Sequence, residues 1–276
     1  MTDASEAPAG AVPRLVGVVH LAPLPDSPRF EGDLEAVVES AARDAEALAA
    51  AGFEAVVVEN FGDAPFVPGR VSAMTIAAMT ACARAIRAAA PSIPLGVNVL
   101  RNDVDAALAV AVASGASLVR VNVHTGARVT DQGVIEGRAH ETLRRRRELG
   151  VDRGARRVAL LCDVDVKHAA PLAPRPIADE ALETAERGLA DALLVTGAGT
   201  GQPARQADLD AVLAVASVPV LVASGVTLES LDRIAGAHGV VVGSCLRPHD
   251  RAGLPVDAAR ARAFADRFHA VFGRAR

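Results

Sequence analysis

Residues 103–123, DVDAALAVAVASGASLVRVNV, contain a helix pattern followed by a strand pattern. The Ala-rich part predicts a helix over Asp103–Ser114, and Gly115 stands where a helix usually ends in a left-handed residue. The Val-rich run Leu118–Val123 then predicts a strand, since near-continuous apolar runs are typical of strands buried in parallel sheets. These residues therefore describe one helix-and-strand unit of an α/β fold.

The same unit recurs along the whole chain. Strand patterns lie at Leu15–His20, Ala55–Asn60, Leu95–Leu100, Leu118–Val123, Val158–Lys167, Ala192–Thr196, Pro219–Ser224 and Gly239–Gly243. Ala-rich helix patterns such as Asp33–Ala51 and Thr75–Ala90 lie between them, and this alternation indicates parallel strands with helical crossovers. Eight strands predict a single (β/α)₈ TIM barrel over residues 15–276, after a disordered or extended segment at residues 1–14. An open doubly wound sheet is the competing architecture, but no GxGxxG turn follows the first strand.

Composition excludes several classes of function. The net charge of −4 provides no basic field for nucleic acid. The three cysteines are far apart and show no CxxC spacing, which is typical of a reduced protein. No run approaches the ~18 apolar residues of a membrane span, and the first residues have no signal-peptide core. We expect a cytoplasmic protein that neither inserts into membranes nor binds nucleic acid.

The most informative strand end is that of the fifth strand, because reacting groups of such barrels gather at the carboxyl ends of strands. Period-two alternation over Val158–Lys167 predicts that Asp163, Asp165 and Lys167 share the inward face, while Val164 and Val166 face the helices. His168 would then point away from Lys167. A structural ion-pair network that plugs the barrel is the alternative. We favour a catalytic cluster in which Lys167 is a proton donor, an electrophile or an amine nucleophile.

Other strands add polar groups at the same end of the barrel. Glu59 and His20 are candidate catalytic partners, and either residue has an ordinary structural alternative. An inward Arg120 requires a carboxylate, which Glu59 or Asp163 supplies from a neighbouring strand. Arg120 is a candidate substrate ligand, although a structural ion pair that orients the floor of the site is the preferred alternative, and Asn98 and Asn122 are further candidate substrate ligands. No cofactor is identified; a Mg²⁺ ion on Glu59, Asp163 and Asp165 is the less favoured alternative.

Small residues end the last three strands and predict a phosphate site. The candidate residues are Thr196, Gly197, Ser224, Gly225, Gly243 and Ser244. Backbone N–H groups in such turns approach an anion closely, and phosphate sites of this fold use the loops after strands seven and eight. Ordinary tight turns are the alternative. Longer loops at residues 61–70, 124–138 and 169–176 are expected to cover this face.

The chain also resembles the BtpA family through several long motifs. These are His20-Leu-Ala-Pro-Leu-Pro25, Glu59-Asn-Phe-Gly-Asp-Ala-Pro-Phe66, Leu95-Gly-Val-Asn-Val-Leu-Arg-Asn-Asp103, Arg120-Val-Asn-Val123, Thr130-Asp-Gln-Gly-Val-Ile-Glu-Gly137, Asp163-Val-Asp-Val-Lys-His168, and Thr196-Gly197 with Thr200-Gly201. The resemblance implies a barrel and, through the family's name, a role in photosystem I biogenesis, although the family also resembles proteins of non-photosynthetic organisms.

Two hypotheses follow from the residues and the resemblance. The first is an enzyme that acts on a small phosphorylated metabolite, a sugar phosphate or a nucleotide, by acid/base or lyase/isomerase-type chemistry. The second is a non-catalytic assembly or stability factor. The expected partners are the phosphorylated ligand and, in a homo-oligomer, further copies of the chain.

Overall fold

A computed structural model describes residues 12–273. Eight parallel strands form a closed barrel. They are β1 Leu15–His20, β2 Ala55–Glu59, β3 Leu95–Asn98, β4 Leu118–Val121, β7 Ala159–Val164, β9 Ala192–Val195, β10 Val220–Val222 and β11 Gly239–Val242, and the strands missing from this numbering belong to a second sheet described below. Around the barrel the order is β1-β11-β10-β9-β7-β4-β3-β2. The sequence prediction of a parallel (β/α)₈ barrel is therefore confirmed, and each observed strand lies within its predicted run. Most of the predicted N-terminal segment lies outside the described residues.

Helices cover the outside of the barrel. They are α1 Leu34–Ala51, α2 Ala73–Ala89, α3 Val104–Ser114, α4 Ala139–Glu148, α5 Ile177–Leu182, α6 Gln206–Val215 and α7 Ala258–Phe272. The α1 and α3 helices begin after the aspartate N-caps Asp33 and Asp103, whose side chains accept backbone N–H groups of the first turn. Gly115 ends α3 with φ 75°, a left-handed conformation that costs glycine little. None of the helices in residues 12–273 combines the length and hydropathy needed to cross a bilayer.

The core has two layers because successive strand residues face opposite sides. Inward residues such as Val57, Leu161 and Leu194 fill the barrel, whereas outward residues such as Val58 and Leu160 pack against the helices. The inner layer is apolar up to the carboxyl ends of the strands. Polar side chains replace it only at that end.

Two of the predicted loops contain a second sheet, which the sequence analysis missed. Strands β5 Ala127–Thr130, β6 Gly133–Glu136 and β8 Ala169–Pro171 form an antiparallel sheet in the order β6-β5-β8. Its β5–β6 turn carries Asp131, which lines the barrel mouth. The segments at 124–138 and 169–176 thus contain regular β structure and are not irregular loops throughout.

Candidate functional site

A layer of polar side chains closes the inner row at the carboxyl ends of five strands. Period-two alternation continues the apolar row into His20, Glu59, Asn98, Arg120 and Asp163. Glu59, Asn98, Arg120 and Asp163 are buried. The predicted inward orientation of Asn98, Arg120 and Asp163 agrees with their contacts.

Arg120 connects the carboxylates of two strands. Its Nη1 donates to Oε1 of Glu59 at 3.0 Å, while Nε and Nη2 donate to the two carboxylate oxygens of Asp163 at 3.1 Å each. Asn98 donates to Glu59 at 3.0 Å and Asn122 to Asp163 at 2.8 Å. The predicted pairing of Arg120 with Glu59 or Asp163 is confirmed, with both partners present.

Electrostatics in this network favours an ionised Glu59. Burial alone raises the pKa of the Glu59 carboxyl, but the positive charges of Arg120 and Lys167 outweigh it and lower the pKa to about 2. Burial likewise opposes the charge of Arg120, yet Asp163 and Glu59 raise its pKa above the ordinary value. These groups therefore stay charged and paired at neutral pH.

Lys167 lies in the mouth, but not as part of a continuous strand. The β7 strand ends at Val164, and Asp165 and His168 have φ of 53° and 56°. The prediction that strand pairing extends to Lys167 is therefore wrong. Burial and the charge of Arg120 lower the pKa of the Lys167 amine, and Glu59 and Asp163 only partly oppose this shift.

Asp165 does not join the inward cluster. Its carboxylate faces Arg128 of β5 at 3.6 Å, and its side chain is 43% exposed. The left-handed backbone at Asp165 breaks the alternation, since aspartate adopts this region more readily than most residues. Val166 accordingly packs with Val123 and Ile135 beside the small sheet, and not against a helix as predicted.

Two cavities open on the polar layer and share a wall. The larger, of about 790 Å³, lies between the segments that follow β1, β2 and β3 and residues 251–254, with Asp131 at its edge, and the smaller, of about 170 Å³, lies between the ends of β10 and β11. Glu59, Arg120, Lys167 and Thr200 line both. A ligand that filled both cavities would therefore contact Lys167 near its middle.

The smaller cavity contains most of the residues predicted for phosphate. Ser224, Gly225, Gly243 and Ser244 line it together with Thr227. Ser224 is not a free donor, because its hydroxyl donates to the carbonyls of Gly199 and Gln202, at 3.1 and 2.8 Å. Ser224 thus shapes the wall, while the glycine turns leave room for an anion.

Thr196 and Gly197 lie behind this wall and do not line either cavity. The Thr196 hydroxyl donates to the Asp165 carbonyl at 3.1 Å. A Cβ on Gly197 would lie 2.2 Å from the Gln202 carbonyl oxygen, so Gly197 permits close packing of its own loop. Their predicted role as substrate ligands is not supported by their positions, and Thr200 of the same loop takes the place in the wall.

Arg247 holds the phosphate turn in shape and was missed by the sequence analysis. Its side chain is fully buried and donates to the carbonyls of Val18, Gly243 and Leu254 at 2.7–2.8 Å. It therefore ties the end of β1 to the turn after β11. No local pattern distinguishes Arg247 from a surface arginine, since its three partners are backbone carbonyl groups, which any residue provides.

His20 forms part of the wall between β1 and the phosphate turn. Its ring lies against Phe61, with 4.5 Å between centroids, and its Nδ1 accepts from the Gly253 N–H at 3.3 Å. Burial, followed by the charge of Arg247, lowers the pKa of His20 to about 3. A neutral imidazole follows, which donates or accepts a hydrogen bond but carries no charge.

The larger cavity is lined by cationic side chains that the sequence analysis did not single out. Arg29, Arg101 and Arg251 line it, and Asp131 is the acidic group of its outer wall. His168 also lines this cavity beside Lys167, against the prediction that the two point apart. The turn that begins at Asp165 places both in the mouth.

The alternative of a Mg²⁺ site lacks its ligand set. Glu59 and Asp163 are engaged by Arg120, and Asp165 lies on the other side of the strand end. No group of three His, Cys, Asp or Glu side chains within residues 12–273 is arranged to hold a metal ion.

The numbers of lysine and arginine residues in the sequence distinguish Lys167. Of 29 Lys and Arg residues, 28 are arginine, and Lys167 is the only lysine. An arginine side chain keeps its proton at physiological pH, whereas a buried lysine readily loses it. This count is a signal for amine chemistry that is visible without a structure.

Comparisons with known proteins identify the family and the fold. The BtpA family model matches residues 12–270. The photosystem I biogenesis protein BtpA of Synechocystis sp. is 45% identical over 252 residues, 91% of this chain and 86% of that protein. An uncharacterized protein of Thermococcus kodakarensis is 44% identical over 90% of this chain and 92% of its own length.

Solved structures with the same barrel are more distant. A thiamine phosphate pyrophosphorylase from Pyrococcus furiosus has a TM-score of 0.56 at 18% identity and covers 94% of this chain and 97% of its own. A geranylgeranylglyceryl phosphate synthase from Thermoplasma acidophilum, in complex with sn-glycerol-1-phosphate, has a TM-score of 0.55 at 15% identity, with 94% of each chain covered. They support the fold, and the family model and the relatives show that the chain belongs to the BtpA family.

Proposed function

We propose that this protein is an enzyme that acts on a small phosphorylated metabolite, and that Lys167 transfers a proton in an isomerase- or lyase-type reaction. The observation that carries the proposal is the position of Lys167 in the wall shared by two cavities. The glycine turns after β10 and β11 would hold the phosphate. The rest of the substrate would then extend past Lys167 into the larger cavity.

The surroundings of Lys167 suit proton transfer. Its lowered pKa makes the neutral amine easier to form, and a neutral amine accepts a proton from a carbon next to a carbonyl group. Glu59 and Asp163 would be positioning residues, because Arg120 holds both carboxylates and keeps the pKa of Glu59 far below neutrality. Asn98 and Asn122 fix the same carboxylates from the side.

Proton transfer is tested by exchange with solvent, which requires no knowledge of the product. The protein is incubated in D₂O with phosphorylated aldoses, ketoses and keto acids, and deuterium incorporation at carbon is followed by NMR. We expect exchange with the wild type and a loss of at least 100-fold in Lys167→Arg, which keeps the cation but not a titratable amine. The exposed Arg156 provides the matched control: Arg156→Lys should behave as the wild type.

A thermal-shift screen separates ligand binding from chemistry. Each phosphorylated compound is compared with its dephosphorylated counterpart, and a ligand at ~100 times its Kd adds about 2.7 kcal/mol to stability. If phosphorylated and plain compounds behave alike, the phosphate site is refuted. If phosphorylated compounds bind but Lys167→Arg exchanges as fast as the wild type, the role of Lys167 is refuted.

A non-catalytic assembly role is the second candidate, supported by one surface feature. On the small sheet, Val129 pairs with Val134 on one side and with Ala170 on the other, so these residues share a face. Val129, Val134 and the nearby Leu172 are exposed. An apolar sheet face of this kind fits a protein partner, as the name of the Synechocystis relative suggests. Val129→Lys would abolish such an interaction and leave solvent exchange intact.

A further inference from the structure

Arg101 is a buried cation without an ionic partner. Its side chain is 3% exposed, and no carboxylate within residues 12–273 forms an ion pair with it. Its Nη2 donates to the Lys167 carbonyl at 2.7 Å, and its Nε has no hydrogen-bond partner. An uncompensated buried charge is strongly unfavourable, and a buried unsatisfied group in a native structure requires an explanation, of which a bound anion is one.

The position of Arg101 shows where that ligand group would lie. Arg101 lines the larger cavity together with Arg29 and Arg251. The hydrogen bond to the Lys167 carbonyl holds the guanidinium beside the lysine, on the side away from the glycine turns. Asp131 of the same cavity is exposed and forms no ion pair with Arg101.

Building on the proposed function, we infer that the substrate carries two anionic groups: a phosphate in the smaller cavity, and a carboxylate or second phosphate on Arg101 in the larger one. Lys167 lies between the two positions, so the reacting carbon would lie between the two anionic ends. A planar guanidinium suits either group, because two of its N–H donors match two oxygens of a carboxylate or a phosphate.

The test compares singly and doubly anionic probes by calorimetry at physiological salt. The carboxylate pair is 3-phosphoglycerate against glycerol 3-phosphate, and the phosphate pair is fructose 1,6-bisphosphate against fructose 6-phosphate. In the wild type we expect the doubly anionic member of at least one pair to bind about 10- to 100-fold more tightly, the range for hydrogen bonds to charged groups. The pair that shows the preference identifies the second group.

Arg101→Met should remove that preference and leave the affinity for the singly anionic probe within about threefold. The matched control is Arg156→Met, which removes the same charge from an exposed site and should keep the preference. Arg101→Lys keeps a positive charge at this position and should retain part of the preference for the doubly anionic probe. It therefore also serves if the methionine variant fails to fold.

Three results would overturn the inference, and they have different meanings. Equal binding within both pairs, or a preference that survives in Arg101→Met, refutes the second anion site but leaves the phosphate site standing. Failure of every phosphorylated probe to bind refutes the proposed function as well.

Discussion

Replacement of Arg120 by methionine should destabilise the protein more strongly than most single changes. The substitution keeps the volume of the side chain but leaves Glu59 and Asp163 buried without their cation. Breaking a buried pair in this way costs about 3–5 kcal/mol. At about 2.1 cal/mol/K per residue, the 276 residues give an unfolding entropy of ~0.58 kcal/mol/K, so the expected decrease in Tm is about 5–9 °C.

The loss of stability in Arg120→Met should depend on pH, and the direction of this dependence follows from the pKa of Glu59. In the wild type the pKa of Glu59 is about 2, below its ordinary value of 4.5, so its contribution is present above pH 4.5 and lost as the pH falls towards 2. Without Arg120, the largest of the effects that lower the pKa of Glu59 is lost while burial still raises it, so the pKa of Glu59 should be higher than in the wild type. The variant is therefore penalised most at neutral pH, and the Tm difference should narrow as the pH approaches 4.

Two companion variants make the measurement decisive. Arg43 pairs with Glu39 at 3.4 Å, but both side chains are more than half exposed, so Arg43→Met should change stability by no more than about 0.5 kcal/mol. Adding Glu59→Gln and Asp163→Asn to Arg120→Met removes the orphaned charges and should restore at least half of the loss. A deficit under about 1 kcal/mol, or one constant between pH 4 and 8, would refute the assignment of Arg120 as the counter-ion of a charged pair.

Three further outcomes are expected. Pyridoxal phosphate followed by borohydride should label Lys167, because its amine has a lowered pKa and lies beside a phosphate cavity. Excess inorganic phosphate should slow this labelling. Peptide mass spectrometry detects the adduct, and the absence of an adduct would contradict an accessible amine. Gly243→Ala should lose the phosphate-dependent thermal shift, because the new methyl group lies in the wall of the smaller cavity. Its Cβ would lie 3.1 Å from the His20 ring, so the Tm should fall, but less than in Gly225→Ala, where φ is 58° and the Cβ would lie 2.3 Å from backbone atoms of residues 202 and 203. With a pKa of about 3, His20 should remain neutral down to about pH 4 in an NMR titration, and protonation near its ordinary pKa of 6.5 would show that the ring is solvated.

The barrel and its inner layer could be predicted from the sequence because both follow from short-range rules. Each strand is a Val-rich run, and alternation alone assigns Glu59, Asn98, Arg120 and Asp163 to one face. The pairing of Arg120 follows from the closure of the barrel, which brings β2 and β7 within reach of β4. Burial then requires that an inward arginine meets a carboxylate.

The period-two alternation failed at the end of β7, where contacts with distant segments determine the backbone conformation. The alternation of apolar and polar residues in the sequence continues through Asp165 to Lys167, but the strand ends at Val164. Arg128 of the small sheet holds the Asp165 carboxylate, and Thr196 holds its carbonyl. The small sheet was itself invisible to the pattern, because its strands, ARVT, GVIE and AAP, lack the continuous apolar runs of the barrel strands.

The two buried arginines of the mouth differ in their partners, and this difference separates their roles. Arg120 has two carboxylates, which suits a structural and positioning role, while Arg101 has none and suits a ligand. Arg120 holds both Glu59 and Asp163, so the charge of Arg101 has no carboxylate partner of its own beside Lys167. An anionic substrate offsets the charge of Arg101, and the ammonium that forms when Lys167 takes up a proton is stabilised by the anionic groups of the substrate together with Glu59 and Asp163. The geometry thus couples recognition of the anions to the proton transfer that we assign to Lys167.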